Sequence, residues 1–340
     1  MINVGILGIG FMGVTHFKAL QKVKGARVAA ICTRDEKKLA GDWSGVQGNF
    51  GGAGGVQDLK RVGRYREIDE LLADDSIDLV DICLPTPMHR DVTIKALKAG
   101  KHVLVEKPIA LTLKDADAMI KAAQEAQKLL MVAHVLRFVP AFAHARELAL
   151  SGKYGALQGV HLKRIIGRKT SDVAGSYFNE SGGPLLDLHI HDTDFLIHLL
   201  GVPSRVQANA HIAPNGDVLY FSAHYGFENG SIAASAQCGA VGEGPITFEH
   251  GFDFYLEKAT LRYNNLHTGD AILLSSGSKQ QEITPRRKEA FEAQLQHAVD
   301  CVRDGRESDI ISAQNARNSL AVCLFEKQAA QSGKAVNVKI

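Results

Sequence analysis

The chain reads as an α/β protein: an N-terminal Rossmann-type, doubly wound parallel sheet, then an α+β domain with an open, largely antiparallel sheet. Three observations predict this. Short apolar runs alternate with amphipathic helical patterns as far as residue 135. A G-x-G-x-x-G loop follows the first of those runs. Beyond about residue 150, strand patterns follow one another closely with turn residues between them.

In the first part, INVGIL (2–7) leads into the helical pattern FMGVTHFKALQKV (11–23), and ARVAAIC (26–32) is the second strand. SIDLVDICL (76–84) precedes a helical pattern over 88–99, and KHVLVE (101–106) precedes LTLKDADAMIKAAQEAQ (111–127). LLMVAHV (129–135) ends the series. Thr112 with Asp115 three residues on forms a capping box. The Gly-rich stretch 41–64 breaks the rhythm and reads as a surface insertion or a binding lid; Trp43 is the feature that keeps the lid in play. In the second part, turns at Pro214-Asn215-Gly216 and Glu228-Asn229-Gly230 separate strand patterns, helical patterns return at 287–304 and 312–332, and AVNVKI is a last strand. The expected division is a dinucleotide-binding domain over 1–125 and a substrate and oligomerisation domain over 126–340.

With 340 residues, 45% of them hydrophobic, the chain can build two cores. A net charge of +2 and 6% aromatic residues argue against a nucleic-acid binder. Five separated cysteines without a C-x-x-C argue against a disulfide framework or a cysteine zinc site and fit a reducing cytoplasm. The N-terminus opens on a strand pattern rather than a signal peptide, and no apolar stretch reaches membrane-spanning length, so a soluble, cytoplasmic protein is expected.

Gly8-Ile9-Gly10-Phe11-Met12-Gly13 lies between a strand and a helix, where the pattern binds a dinucleotide. The first glycine permits the tight turn, the second lets a pyrophosphate approach, and the third lets helix and strand pack closely. At the end of the second strand, NAD-binding domains place a carboxylate for the ribose 2′-OH. Here Cys32-Thr33-Arg34 stands instead, and Asp35 starts the next helix. Thr33 and Arg34 can hold a 2′-phosphate, so NADP is favoured over NAD; the bland alternative is a solvated Arg34.

Glu106-Lys107-Pro108 follows a parallel strand, at the end of the sheet where ligands bind, so Lys107 is expected at the reactive end of the cofactor, donating to an oxygen that gains alkoxide character. In GGPLLDLHIHDTD (182–194), Asp187, His191, Asp194 and His198 fall on one face of a continuous α-helix, with Leu188, Phe195 and Leu199 on another. His191 reads as an acid/base, a core-edge side chain or a metal ligand. His189 and His191, two apart on a helix, point away from each other, so no metal is assigned.

GIGFMG, EKP and GGPLLDLHIHD, in this order, resemble the Gfo/Idh/MocA oxidoreductases, the glucose–fructose oxidoreductase and inositol dehydrogenase group. Pro85-Thr86-Pro87 with His89, Arg137-Phe138-Val139-Pro140 and the C-terminal helices agree. The resemblance implies hydride exchange between NAD(P) and a sugar, polyol or related cyclic alcohol, and a homo-oligomer, dimer or tetramer, formed through the open sheet. It implies that Lys107 is the catalytic lysine, Asp187 the substrate-binding aspartate and His191 the acid/base. It makes Glu106 and the turn Leu84, Pro85, Thr86 and His89 cofactor contacts beside Gly8, Gly10, Phe11, Met12 and Gly13. Arg137, Arg168, Arg164 and Lys163 are candidate substrate-side groups, each set against a plain surface charge. Thr33 departs from the acidic residue of NAD-dependent members, His189 stands where glycine is common, and 41–64 is longer than the usual connection.

Three rival readings remain. A lyase, epimerase or glycosidase that retains its cofactor would turn over without net change in NAD(P)H. A non-enzymatic NADP(H) sensor would bind without turnover. A metal enzyme would carry stoichiometric zinc.

Overall fold

The computed structural model describes residues 1–48, 52–168, 181–214, 216, 218–228, 230, 232–243 and 246–340. The chain forms two compact units, 1–135 with 289–317, and 136–288 with 318–340. The first therefore runs past the boundary expected at 125, because the strand Leu130–Ala133 pairs in its sheet, and a C-terminal segment returns to it.

In the first unit β1 (Ile2–Leu7), β2 (Ala26–Cys32), β3 (Gly63–Tyr65), β4 (Leu79–Ile82), β5 (His102–Glu106) and β6 (Leu130–Ala133) form a parallel sheet in the order 3-2-1-4-5-6. This is the doubly wound order, and it brings the ends of β1 and β4 together where the strand order reverses. The connecting helices are α1 (Phe11–Leu20), α2 (Glu36–Leu39), α3 (Ile68–Leu72), α4 (His89–Lys98) and α5 (Leu113–Ala126). Asp35 caps α2 by accepting from Lys38 N–H, and Thr112 caps α5 by accepting from Asp115 N–H at 3.1 Å; of the expected capping box this half is present, and the Asp115 carboxylate accepts from the Thr112 hydroxyl at 2.7 Å. Strand β3 is too short to show in the sequence pattern.

Trp43 anchors the Gly-rich stretch. Its side chain is fully buried, its ring meets Phe17 edge-on at 4.7 Å, and its Nε1–H donates to the Lys38 carbonyl at 2.8 Å. A Cβ on Gly48 would sit 2.1 Å from the Phe11 ring, so glycine permits this stretch to close onto α1. Residues 49–51 lie outside the described residues.

The second unit has α6 (Pro140–Leu150) and α7 (Ile190–Leu200), then a nine-stranded sheet. Its strands are β7 (Leu157–Arg168), β8 (Arg205–Ile212), β9 (Val218–Gly226), β10 (Ala233–Glu243), β11 (Glu249–Leu256), β12 (Ala259–Asn264), β13 (Ile272–Ser276), β14 (Lys279–Ile283) and β15 (Val336–Asn337). They lie in the order 14-13-12-11-7-10-9-8-15, and only β7 and β10 pair in parallel. Asn215 and Asn229 of the two expected turns lie outside the described residues. Helix α8 (Ala290–Asp304) follows in the chain but belongs to the first unit, and α9 (Ala313–Ser332) begins in the first unit and continues in the second. One face of the sheet shares a core with α6, α7 and the later part of α9; Phe142 meets Phe195 at 4.9 Å and Phe252 at 5.0 Å in that core. The opposite face is polar where β8 presents Gln207, Asn209 and His211.

Candidate functional site

The glycine loop has the geometry its sequence demands. Gly8 takes φ +91°, and a Cβ there would stand 2.7 Å from the Cys83 carbonyl oxygen at the end of β4. A Cβ on Gly13 would stand 2.0 Å from the Gly8 carbonyl oxygen, so only glycine lets α1 sit so close. A Cβ on Gly10 would meet open space. Gly10 is the N-cap of α1, without a side-chain cap and with no acidic residue in the first turn. That N-terminus offers N–H groups and a favourable dipole to a pyrophosphate, so the residues fit a dinucleotide. Phe11 and Met12 are partly exposed beside it.

Beneath the loop lies a cluster that the motif reading missed. His16, on the buried face of α1, places Nδ1 2.9 Å from Asp81 Oδ2 and Nε2 3.2 Å from Glu106 Oε1. Burial pushes the imidazole towards neutrality, but Asp81, with Cys83, outweighs it and holds His16 protonated well above the usual histidine range. Burial likewise raises Glu106, but the His16 contact overcomes that and keeps the carboxyl below its usual range. Burial pushes the Cys83 thiol up to about 12. Glu106 Oε2 accepts Lys107 N–H at 3.1 Å, and the Lys107 side chain is partly exposed. Asp81 interrupts an otherwise apolar buried strand, which is the signal that could have revealed the cluster.

Two of the expected cofactor contacts, Glu106 and His89, have buried side chains. Glu106 is 6% exposed and engaged on both oxygens. His89 is 1% exposed, its ring nitrogens each 2.9 Å from a carbonyl oxygen, of Pro108 and Leu84, so it ties the turn after β4 to the segment after β5. In that turn Pro85 is exposed, Leu84 partly exposed and Thr86 buried. Thr33 is partly exposed and donates its N–H to the Tyr65 carbonyl. Arg34 is exposed, with Nη2 3.0 Å from Glu67 Oε2.

In the second unit, Gly182 and Gly183 take φ of +88° and +84°, and Leu185–His189 forms a π-helical turn before α7. The expected continuous α-helix is therefore broken by one wider turn, a feature found frequently at functional sites. It divides the polar residues. Asp187, His191 and His198 are partly exposed, whereas His189, Asp192 and Asp194 are fully buried. His189 Nε2 lies 3.2 Å from the Tyr225 hydroxyl and 3.4 Å from Glu326 Oε2. Burial opposes the charge on His189, but Glu326 and Asp192 hold it protonated well above its usual range. Its ring is buried and meets Phe221 edge-on at 4.3 Å.

The expected substrate-side cations mostly have internal partners. Arg137 forms a buried fork on Asp194, both bonds 2.7 Å, and Arg164 does the same on Asp192 at 2.8 and 3.0 Å. Lys163 pairs with Glu249 at 2.9 Å. The side chain of Arg168 lies outside the described residues.

A parallel sheet in doubly wound order with this glycine loop, joined to a large mixed sheet, defines an oxidoreductase class with an NAD-binding Rossmann fold. The chain belongs to the GFO/IDH/MocA family. Residues 2–134 match the model of its NAD-binding Rossmann-fold oxidoreductase domain, and residues 142–262 match the GFO/IDH/MocA C-terminal domain. It is similar to scyllo-inositol 2-dehydrogenase (NAD(+)) of Bacillus subtilis, 28% identical over 356 residues, spanning 100% of this chain and 97% of that protein. It is also similar to 2,7-anhydro-N-acetylneuraminate hydratase of Escherichia coli, 25% identical over 327 residues, spanning 91% of this chain and 82% of that protein. Among solved structures, an oxidoreductase from Agrobacterium radiobacter in complex with NAD+, L-tartaric acid and magnesium superposes with a TM-score of 0.81 at 23% identity, covering 99% of this chain and 98% of that one; this likeness speaks to fold alone. Among the described residues no helix is long and apolar enough to cross a membrane.

Proposed function

We propose that the protein reversibly oxidises a CH–OH group of a sugar or cyclic polyol of the inositol type, with Lys107, Asp187 and His191 as its working side chains. The observation that carries the proposal is the division within Gly182–Asp194: Asp192, Asp194 and His189 are buried, while Asp187 and His191 keep partial access to solvent. The name of the inositol dehydrogenase relative supports the substrate class.

A bound nicotinamide dinucleotide, held by Gly8, Gly10, Gly13 and the N-terminus of α1, supplies the hydride acceptor and donor. In the oxidative direction His191 removes the hydroxyl proton. Lys107 donates a hydrogen bond to the same oxygen and stabilises its alkoxide character. Asp187 accepts from the same or the neighbouring hydroxyl and orients it. Thr33 and Arg34 favour NADP(H) by receiving a 2′-phosphate. A homo-oligomer, dimer or tetramer, forms through the open sheet face, and light scattering checks it.

The test is reduced-nicotinamide absorbance with NAD or NADP across a panel of inositols and sugars. On any substrate found, His191→Ala and Lys107→Met are expected to lower kcat by at least about a hundredfold. Near-normal turnover by His191→Ala would sink the assignment. A second reading, in which the cofactor is re-reduced within each cycle and water is added or lost, is favoured by the hydratase relative. It predicts product without net change in absorbance.

A further inference from the structure

A chain of alternating buried charge runs beneath the glycine loop. Asp81 comes from β4, His16 from α1 and Glu106 from the end of β5, and none of the three side chains is more than 8% exposed. Such a cluster is not what packing alone selects, because apolar side chains of similar volume often stabilise a core as well or better. The trio makes sense by what it holds. One Glu106 oxygen lies against His16 Nε2 and the other accepts the Lys107 N–H. The backbone of Lys107 is therefore tied to a carboxylate, and that carboxylate to His16.

We propose that His16 is a positioning residue for Lys107: braced by Asp81, it holds the Glu106 carboxylate that receives the Lys107 N–H. This rests on Lys107 acting at the reacting oxygen. His16 reaches no substrate and transfers no proton in the reaction; it acts through Glu106. The groups that face it are Asp81 and Cys83 from β4 and its end, Glu106 from the end of β5, and the Phe291 ring from α8 at 5.8 Å. Without the imidazolium, burial would keep the Glu106 carboxyl protonated to higher pH, and a neutral carboxyl is a weaker acceptor for the Lys107 N–H.

The test compares His16→Leu and the milder His16→Gln with the unaltered protein, on the substrate found above. The expected result is a kcat at least about tenfold lower in His16→Leu, with KM and NAD(P)H affinity within about threefold. Loss is smaller in His16→Gln, whose amide keeps a polar donor facing Glu106. In both, the acid limb of the kcat–pH profile moves up by about one unit or more. An unmoved limb, or a kcat loss matched by an equal loss of dinucleotide affinity, would overturn the proposal. If His16→Leu fails to fold, His16→Gln decides by the same limb. A second readout needs no turnover: the backbone amide resonance of Lys107 in isotope-labelled protein. It is expected to shift in His16→Gln and in Asp81→Asn, and an unshifted resonance overturns the link. If no substrate is turned over, or Lys107→Met is as active as the unaltered protein, the assignment of Lys107 fails by itself, and the amide resonance still decides whether His16 governs it.

Discussion

Arg137 and Asp194 form a fork-to-fork ion pair inside the second unit, Nε to Oδ2 and Nη2 to Oδ1 both at 2.7 Å, with side chains 1% and 0% exposed. Asp194 Oδ1 also accepts from the Ser319 hydroxyl at 2.8 Å. Removing one partner leaves a buried charge uncompensated, so Arg137→Leu is expected to lower stability by about 3–5 kcal/mol. Arg137→Lys should recover little, because an ammonium cannot reproduce the bidentate fork. Urea unfolding followed by circular dichroism measures both. A loss confined to KM, with unaltered unfolding, would return Arg137 to the substrate.

The glycine loop offers two single-methyl substitutions with opposite expected outcomes. Gly13→Ala drives a Cβ to 2.0 Å from the Gly8 carbonyl oxygen and should cost at least about 1–3 kcal/mol of stability. Gly10→Ala meets nothing in the protein and should leave the melting temperature in place. It should weaken dinucleotide binding by about tenfold or more, since the methyl stands where the pyrophosphate approaches. Thermal unfolding and NAD(P)H fluorescence titration separate the two effects; equal affinity in Gly10→Ala would remove the loop from the cofactor.

What the sequence disclosed is mostly local. The glycine loop, the Asp35 and Thr112 caps and the alternation of strand with helix each depend on residues within a few positions of one another. What escaped depends on partners far along the chain. His16 meets Asp81 and Glu106 only because β4 and β5 follow β1 in the sheet. The π-turn at Leu185–His189 accompanies the seating of His189 against Tyr225 and Glu326, and no i, i+4 count could foresee it. Arg137 looked like a free cation because Asp194 enters its surroundings from another helix. Within GGPLLDLHIHDTD, the sequence could mark the polar residues but not sort the buried from the accessible.

His250 should make the second unit acid-sensitive. Burial, with the Arg164 charge beside it, lowers its pKa to about 3, and Phe142 and Phe248 stack on its ring at 5.9 and 5.1 Å. The unfolded chain binds this proton near the usual histidine value, and the folded chain does not. The associated stability is therefore complete above pH 6.5 and declines as pH falls towards 3. At about pH 5 the expected loss from this residue is about 2 kcal/mol. His250→Phe should flatten that part of the profile. An unchanged slope between about pH 7 and 5 in urea unfolding would show that the ring is not kept neutral.

The Arg34–Glu67 pair bears on cofactor choice. Arg34 can receive a 2′-phosphate, but Glu67 lies against its guanidinium at 3.0 Å, and both side chains are exposed, at 80% and 57%. Exposed pairs of this kind are worth little, so the phosphate can compete for Arg34 while Glu67 opposes it by like charge. Arg34→Ala should weaken NADP(H) by about tenfold or more and leave NAD(H) within about threefold. Glu67→Gln should act in the opposite direction, tightening NADP(H) by about threefold or more without touching the ribose of NAD(H). Calorimetric titration at low and high salt reads both, and the Glu67→Gln gain should shrink as salt screens the charge. Equal losses for the two dinucleotides in Arg34→Ala would mean that Arg34 is only a solvated surface charge and that the selection of NADP(H) fails.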